Sequence, residues 1–181
     1  MAWHFLSDCS YFLLGVRSFI PDEYINVIYL HTRNIEKYTM PEPGDVVILN
    51  IADVGLRRYI TSCPDIAACR VIMLLEPPFI VQNNSQQHFP WILPCNISPD
   101  MLKRKLHSAQ SSPLVSRRHS HSELRLFRYM ATGLSIEQVQ QKMRLPKKSL
   151  YAMKRAVLSK YGIEGGKAHS VLLCRDAMKI M

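Results

Sequence analysis

Along the first 110 residues, short apolar runs alternate with amphipathic pieces and turn residues. The runs at 3–6, 24–30, 45–51, 70–75 and 90–93 are rich in Val, Ile, Leu and aromatic residues, which predicts five strands. Several are apolar on both faces, as strands of a buried parallel sheet are. Between them, 11–19, 55–62 and 99–108 carry helical spacing, the last with Ser98 as N-cap and Pro99 in its first turn. Stretches 34–43 and 76–90 are proline-bracketed or polar, so the helices expected there are reduced or irregular. Strands alternating with helical pieces predict an open α/β sheet.

The pattern then changes. Residues 107–120 are rich in Ser, His and Arg without a hydrophobic period, and 111–119 read as a solvated linker. On this reading His119 and His121 form no metal pair. Ser120 with Glu123 has capping-box spacing, and Leu124, Phe127, Met130 and Ala131 follow at helical intervals up to Gly133. A second helix starts after Ser135, with Ile136, Val139 and Met143 on one face. After the break at Arg144, Leu145 and Pro146, a third runs to about Tyr161 and stops at Gly162, and a fourth covers roughly 169–181.

The third helix has two faces. Leu150, Met153, Val157 and Tyr161 would pack inward, while Lys148, Tyr151, Ala152, Arg155 and Ser159 lie together on another side. Arginine can read guanine edges, a small Ala can meet a thymine methyl, and lysine can hold phosphate, so this second face suits a major groove.

Charge sharpens that reading. The net charge is +9, but residues 1–112 sum to −1 and residues 113–181 to +10. A basic module joined to a neutral one is the footprint of nucleic-acid binding. Hydrophobic residues at 48% and charged ones at 20% exclude disorder as the main state. No apolar run reaches eighteen residues, and the start lacks the features of a secretory signal. Five cysteines without a CxxC pair make a disulfide framework or zinc site unexpected, so a cytoplasmic chain with reduced thiols is the expectation, with no membrane partner. No nucleophile–base pair, phosphate loop or metal cluster is visible, which argues against an enzyme and against a cofactor.

Over about residues 3–110 the chain resembles the receiver domain of bacterial response regulators, beginning with Phe5-Leu6-Ser7-Asp8-Cys9-Ser10-Tyr11. The resemblance implies a flavodoxin-like, five-stranded parallel sheet. It also places Ser7 and Asp8 at the family's Mg²⁺-holding acid pair and Asn50 at the phosphoacceptor. Leu75 stands at the Thr/Ser position and Pro94 at the Lys position. An amide cannot replace the carboxylate nucleophile of an aspartyl phosphate, and one Asp is a thin site for a hard cation. Leu75 cannot hydrogen-bond a phosphoryl group, and Pro94 offers it no cation. Asp53, three residues beyond Asn50, is expected to cap the following turn. The domain therefore reads as a degenerate receiver that acts without phosphorylation.

Residues 120–179, through Gly133-Leu134-Ser135-Ile136, Leu145-Pro146-Lys147-Lys148-Ser149-Leu150 and Lys160-Tyr161-Gly162-Ile163, closely resemble the LuxR/FixJ (NarL)-type helix-turn-helix. Pro146, Met153 and Tyr161 depart from the usual Ser, His and Leu. The resemblance implies a small four-helix domain over 120–181. It places Tyr151, Ala152 and Arg155 at bases and Lys148, Ser149, Lys154 and Lys160 near phosphates, with Lys147 at the helix start. The opening Asp8-Cys9-Ser10-Tyr11 with Leu14-Gly15 is similar to auxiliary regulators of the RcsA type, which implies capsule, fimbrial or biofilm genes as targets.

The expected protein is thus a degenerate receiver over 1–110, a linker and a helix-turn-helix domain. It would bind double-stranded DNA as a homodimer or with another regulator of the same type. Two rivals are a protein that titrates a response regulator without reading DNA and a regulator that senses a ligand around Asp8 and Asn50.

Overall fold

The computed structural model describes residues 1–20, 26–37, 39–75, 80–81, 88–164 and 168–180. In chain order the first half contains β1 (Ala2–Ser7), α1 (Ser10–Phe19), β2 (Asn26–His31), a 3-10 helix (Thr32–Lys37), β3 (Val46–Asn50), α2 (Val54–Ile60), α3 (Pro64–Ala67) and β4 (Arg70–Leu75). There follow β5 (Ile80–Val81), β6 (Trp91–Pro94), α4 (Pro99–Ser111), α5 (His121–Ala131), α6 (Ile136–Met143), α7 (Lys147–Lys160), β7 (Ile163–Glu164) and α8 (Ala168–Ala177).

Five strands form one parallel sheet in the order β2-β1-β3-β4-β6. This is the flavodoxin-like, doubly wound order, in which the chain steps outward in both directions from β1 and β3. All six residues of β1 are buried, as a central parallel strand covered on both faces requires. On one face Trp3, Phe5, Ile48 and Trp91 pack against Val16 of α1 and Leu102 and Leu106 of α4. On the other, Leu6, Leu49 and Met73 pack against Ile60 of α2 and Ile66 of α3.

The expected strands are present. Tyr24 and Ile25, assigned to the second strand, lie outside the described residues. Between β2 and β3 only the 3-10 helix forms, in keeping with the poor helical pattern there. Residues 76–79 and 82–87 of the other irregular stretch are also outside the described residues. The short α3 was not foreseen, and α4 runs past the expected 108 to Ser111.

The helical lobe is built as its local chemistry dictates. Ser120 and Ser135 each accept a hydrogen bond from the third backbone N–H of their helix, and the side-chain oxygens of Glu123 and Gln138 accept in turn from the backbone N–H of the cap residue, completing two capping boxes. Gly133 and Gly162 follow α5 and α7 at φ +81° and +66°, the left-handed region in which glycine avoids a Cβ penalty. Helix α8 ends at Ala177, short of the expected 181.

The two lobes are joined more tightly than the sequence predicts. One apolar cluster runs from Leu49 and Ile60 of the sheet lobe to Phe127, Ala177, Met178 and Ile180 of the helical lobe. Strand β5 pairs antiparallel with β7, and Phe89 bridges to Ser116. Asp176, fully enclosed, accepts a hydrogen bond from Arg57 Nε at 3.2 Å and is also held by Arg175.

Candidate nucleic-acid interface

Helix α7 divides into the two expected faces. Leu150, Val157 and Leu158 are buried, as is Tyr161 just beyond the helix, while Met153 is half-buried. Lys147, Lys148, Ser149, Tyr151, Ala152, Arg155 and Ser159 are exposed. Tyr151 stands 53% accessible. No acidic residue occurs between 147 and 160, so the helix presents cations without internal neutralisation. Its N-terminus is set by a turn in which Arg144 takes the left-handed conformation (φ 54°) and Pro146 occupies the N-cap position.

The cations of α7 are not equivalent. Lys148 and Arg155 make no ion pair among the described residues and are available to an external anion. Lys147 Nζ lies 2.6 Å from Glu137 Oε1, and this hydrogen bond leads the effects that pull the Glu137 carboxyl down to about 2. Lys160 Nζ lies 2.5 Å from Glu123 Oε1. Burial would raise the Glu123 carboxyl, but the hydrogen bonds from Lys160 and Ser120 and the nearby positive charge hold it below its ordinary value. Lys160 therefore ties the end of α7 to the start of α5 rather than standing ready for phosphate. Lys154 is half-buried, and burial lowers its ammonium below the ordinary lysine range.

At the carboxyl end of the sheet the receiver-like positions do converge. Ser7 pairs in register with Asn50, and Leu75 with Pro94. Ser7 and Asn50 flank the switch point between β1 and β3, where open α/β sheets place their ligands. The groups are turned to structure. Ser7, fully buried, accepts a hydrogen bond from the Cys9 N–H at 3.0 Å. Asp8 Oδ2 accepts from the Ala52 and Asp53 N–H groups at 2.9 and 3.0 Å, bracing the β3–α2 loop. Asp53 accepts from the Leu56 N–H and caps α2, as its position predicts. No group of three His, Cys, Asp or Glu side chains that could hold a metal occurs among the described residues.

No protein-family model matches the chain, and no curated protein matches it in sequence. Among solved structures it is similar to RcsB from Salmonella enterica serovar Typhimurium bound to promoter rprA in the presence of a phosphomimetic, at 17% identity over 98% of both chains, with a TM-score of 0.48. It is similar to a structure of two RcsB dimers bound to two parallel DNAs, at 18% identity over 97% of this chain and 98% of that one (TM-score 0.46). A third is the response regulator ChrA of a heme-sensing two-component system, at 12% identity over 99% and 98% of the two chains (TM-score 0.37). Likenesses this distant carry no functional weight, and the fold assignment rests on the sheet order itself.

The residues missed by sequence reasoning lie in the stretch expected to be a solvated linker. That expectation is corrected for Arg117 and His119. The Arg117 N–H donates to the Phe89 carbonyl at 3.2 Å, and its guanidinium donates to the carbonyls of His88 and Lys160 while lying over the Tyr161 ring. The His119 side chain is completely enclosed, stacks on Tyr161 and makes a 2.8 Å hydrogen bond to its hydroxyl. Burial lowers its pKa against the opposing charge of Glu123. The segment is a strap that holds the C-terminal end of α7. Only its wealth of long polar side chains hinted at this, and the same composition describes a loose linker. No helix among the described residues is long and apolar enough to cross a membrane.

Proposed function

We propose that the chain is a DNA-binding transcription regulator in which α6 and α7 act as a helix-turn-helix and α7 enters the major groove. The observation that carries this reading is the exposed, acid-free face of α7, where Lys148, Tyr151, Ala152 and Arg155 stand together above a buried opposite face. Arg155 would read a guanine edge and Ala152 a thymine methyl, with Tyr151 beside them. Lys148 and Ser149 would hold the phosphates that set register. The sheet lobe would serve as a scaffold, since Asn50, Leu75 and Pro94 each lack the group that phosphoryl chemistry requires.

One such helix buries a modest area on DNA, and paired half-sites about one helical turn apart are the usual remedy. The protein would therefore work as a dimer, with itself or with another regulator of the same class. To test the reading, cognate duplexes are selected from a random pool with the full chain, and binding is compared with Arg155→Ala. The substitution is expected to cost about 1–3 kcal/mol on the selected site and to relax preference at one base pair. No selected sequence, or an Arg155→Ala footprint identical to the parent's, would overturn the assignment.

A further inference from the structure

A doubly wound sheet buries both faces under helices, and the segment between β2 and β3 supplies less cover than that requires. Thr32–Lys37 forms only a 3-10 helix, interrupted by the non-helical Asn34. Between this short helix, the sheet and the corner from α2 to α3 lies a cavity of about 110 Å³. Leu6 of β1, Ile35, Ile60 of α2, Cys63 and Ile66 of α3 line it, and all five belong to or pack against the apolar cluster on that side of the sheet. Tyr59 and Met40 border it while standing 64% and 43% exposed, so the cavity meets solvent beside two large apolar side chains. The half-buried Cys63 thiol donates to the Tyr59 carbonyl at 3.6 Å. Glu36 is the one charged side chain of the lining, exposed and without an ion pair among the described residues.

We propose that this cavity binds a small monoamine, with an aryl or branched alkyl group seated among Leu6, Ile35, Ile60 and Ile66 and its ammonium outside at Glu36. Size limits the apolar part. An apolar cavity of about 150 Å³ holds a benzene ring, so a space of 110 Å³ that also opens to solvent suits a single ring or a branched alkyl group. Burial of that group supplies the attraction, since the aliphatic lining offers contact and little hydrogen bonding. Glu36 sets the preference among head groups. It attracts an ammonium, gains little from an alcohol and repels a carboxylate. The site belongs to the sheet lobe and does not depend on α7 reading DNA.

Benzylamine is the probe, and benzyl alcohol is its neutral counterpart of nearly the same shape. Each is titrated into the full chain while methyl methanethiosulfonate modifies the cysteines, and the rate at Cys63 is read by peptide mass. The exposed Cys9 serves as internal control. Benzylamine should slow modification of Cys63 saturably at about millimolar concentration, leave Cys9 unaffected and raise the thermal midpoint. Benzyl alcohol should require about three- to fivefold more for the same protection, the factor an exposed ion pair supplies. Glu36→Gln should erase that ratio and keep the protection by the alcohol. Ile35→Phe, which places a ring of the chain's own in the space, should abolish protection by both compounds. If that variant does not fold, wild type and Glu36→Gln decide by themselves. The site is overturned if benzylamine protects Cys63 no more than Cys9, or if folded Ile35→Phe is protected as wild type is. Equal action of amine and alcohol on wild type, or a ratio unchanged in Glu36→Gln, overturns it as well.

Discussion

Replacing Arg57 by methionine tests whether the two lobes form one cooperative body. Arg57 belongs to α2 of the sheet lobe, yet its Nε donates to Asp176 of α8 at 3.2 Å and its Nη1 to the Ile51 carbonyl at 3.1 Å. Both sites are dry, with the Arg57 side chain 10% and the Asp176 side chain 0% exposed. Methionine keeps the aliphatic stem and much of the volume, so the loss is chiefly polar. A hydrogen bond to a charged group contributes about 1.5–3 kcal/mol, and an orphaned buried acceptor costs more than a solvated one. Removing one partner of a buried pair costs about 3–5 kcal/mol when the other charge is left alone. Asp176 is not left alone, because Arg175 Nε still donates to its Oδ1 at 2.8 Å. The expected loss is therefore near the lower end, about 3 kcal/mol, or roughly 6–12 °C in thermal midpoint for a chain of this size. Asp176→Leu should cost more, since it strands Arg57 and Arg175 together with no acid between them. Urea and thermal unfolding followed by circular dichroism measure both. A change below about 0.5 kcal/mol for Arg57→Met, with an unaltered urea slope, would show that the lobes do not depend on this contact.

Lys148→Ala is expected to lower the salt slope of duplex binding by about 0.9, whereas Lys160→Ala should leave the slope nearly unchanged and lower the thermal midpoint, because its partner is Glu123 rather than phosphate. Equal slope changes for the two variants would refute the distinction. Stability should fall as pH is lowered from about 6.5. The pKa of His119 is depressed by burial, so the unfolded chain takes up its proton first and the folded state loses ground as pH drops toward the folded value. Glu123, depressed by Lys160 and Ser120 against its burial, adds a second loss below about pH 4.5. His119→Phe should flatten the upper part of this curve and leave the lower part, as read by urea midpoints at a series of pH values. Incubation with Mg²⁺ and a small phosphodonor should leave the intact mass unchanged, and an adduct on Asp8 or Asp53 would contradict the scaffold reading.

What the residues disclosed unaided was local. The five sheet strands follow from apolar runs, and Arg70–Leu75 coincides with β4 because a buried parallel strand needs no partner-specific signal. The capping boxes at Ser120 and Ser135 were legible because cap and partner stand three residues apart. The face of α7 carrying Tyr151, Ala152 and Arg155 was legible because 3.6-residue periodicity separates it from Leu150 and Val157. Lys160 shows where this stops: periodicity says which side a cation occupies and cannot say that Glu123, on another helix, takes up its charge.

The tertiary structure decided everything that joins distant parts of the chain. Arg57 and Asp176 lie 119 positions apart, and Lys179 and Ser62 117 apart, with no spacing rule to connect them. Ile80–Val81 found its partner only in Ile163–Glu164, since a two-residue strand has too little pattern to announce itself. Arg117 and His119 stand in a stretch whose composition fits solvent and strap equally, because long polar side chains are stable in either place once their hydrogen bonds are satisfied. Sequence determined which segments become strands and helices and which side of each is apolar, since those properties depend on neighbours a few residues away. Whether a given arginine ends in water, on a phosphate or against a buried aspartate depends on which surfaces meet, and folding alone sets that.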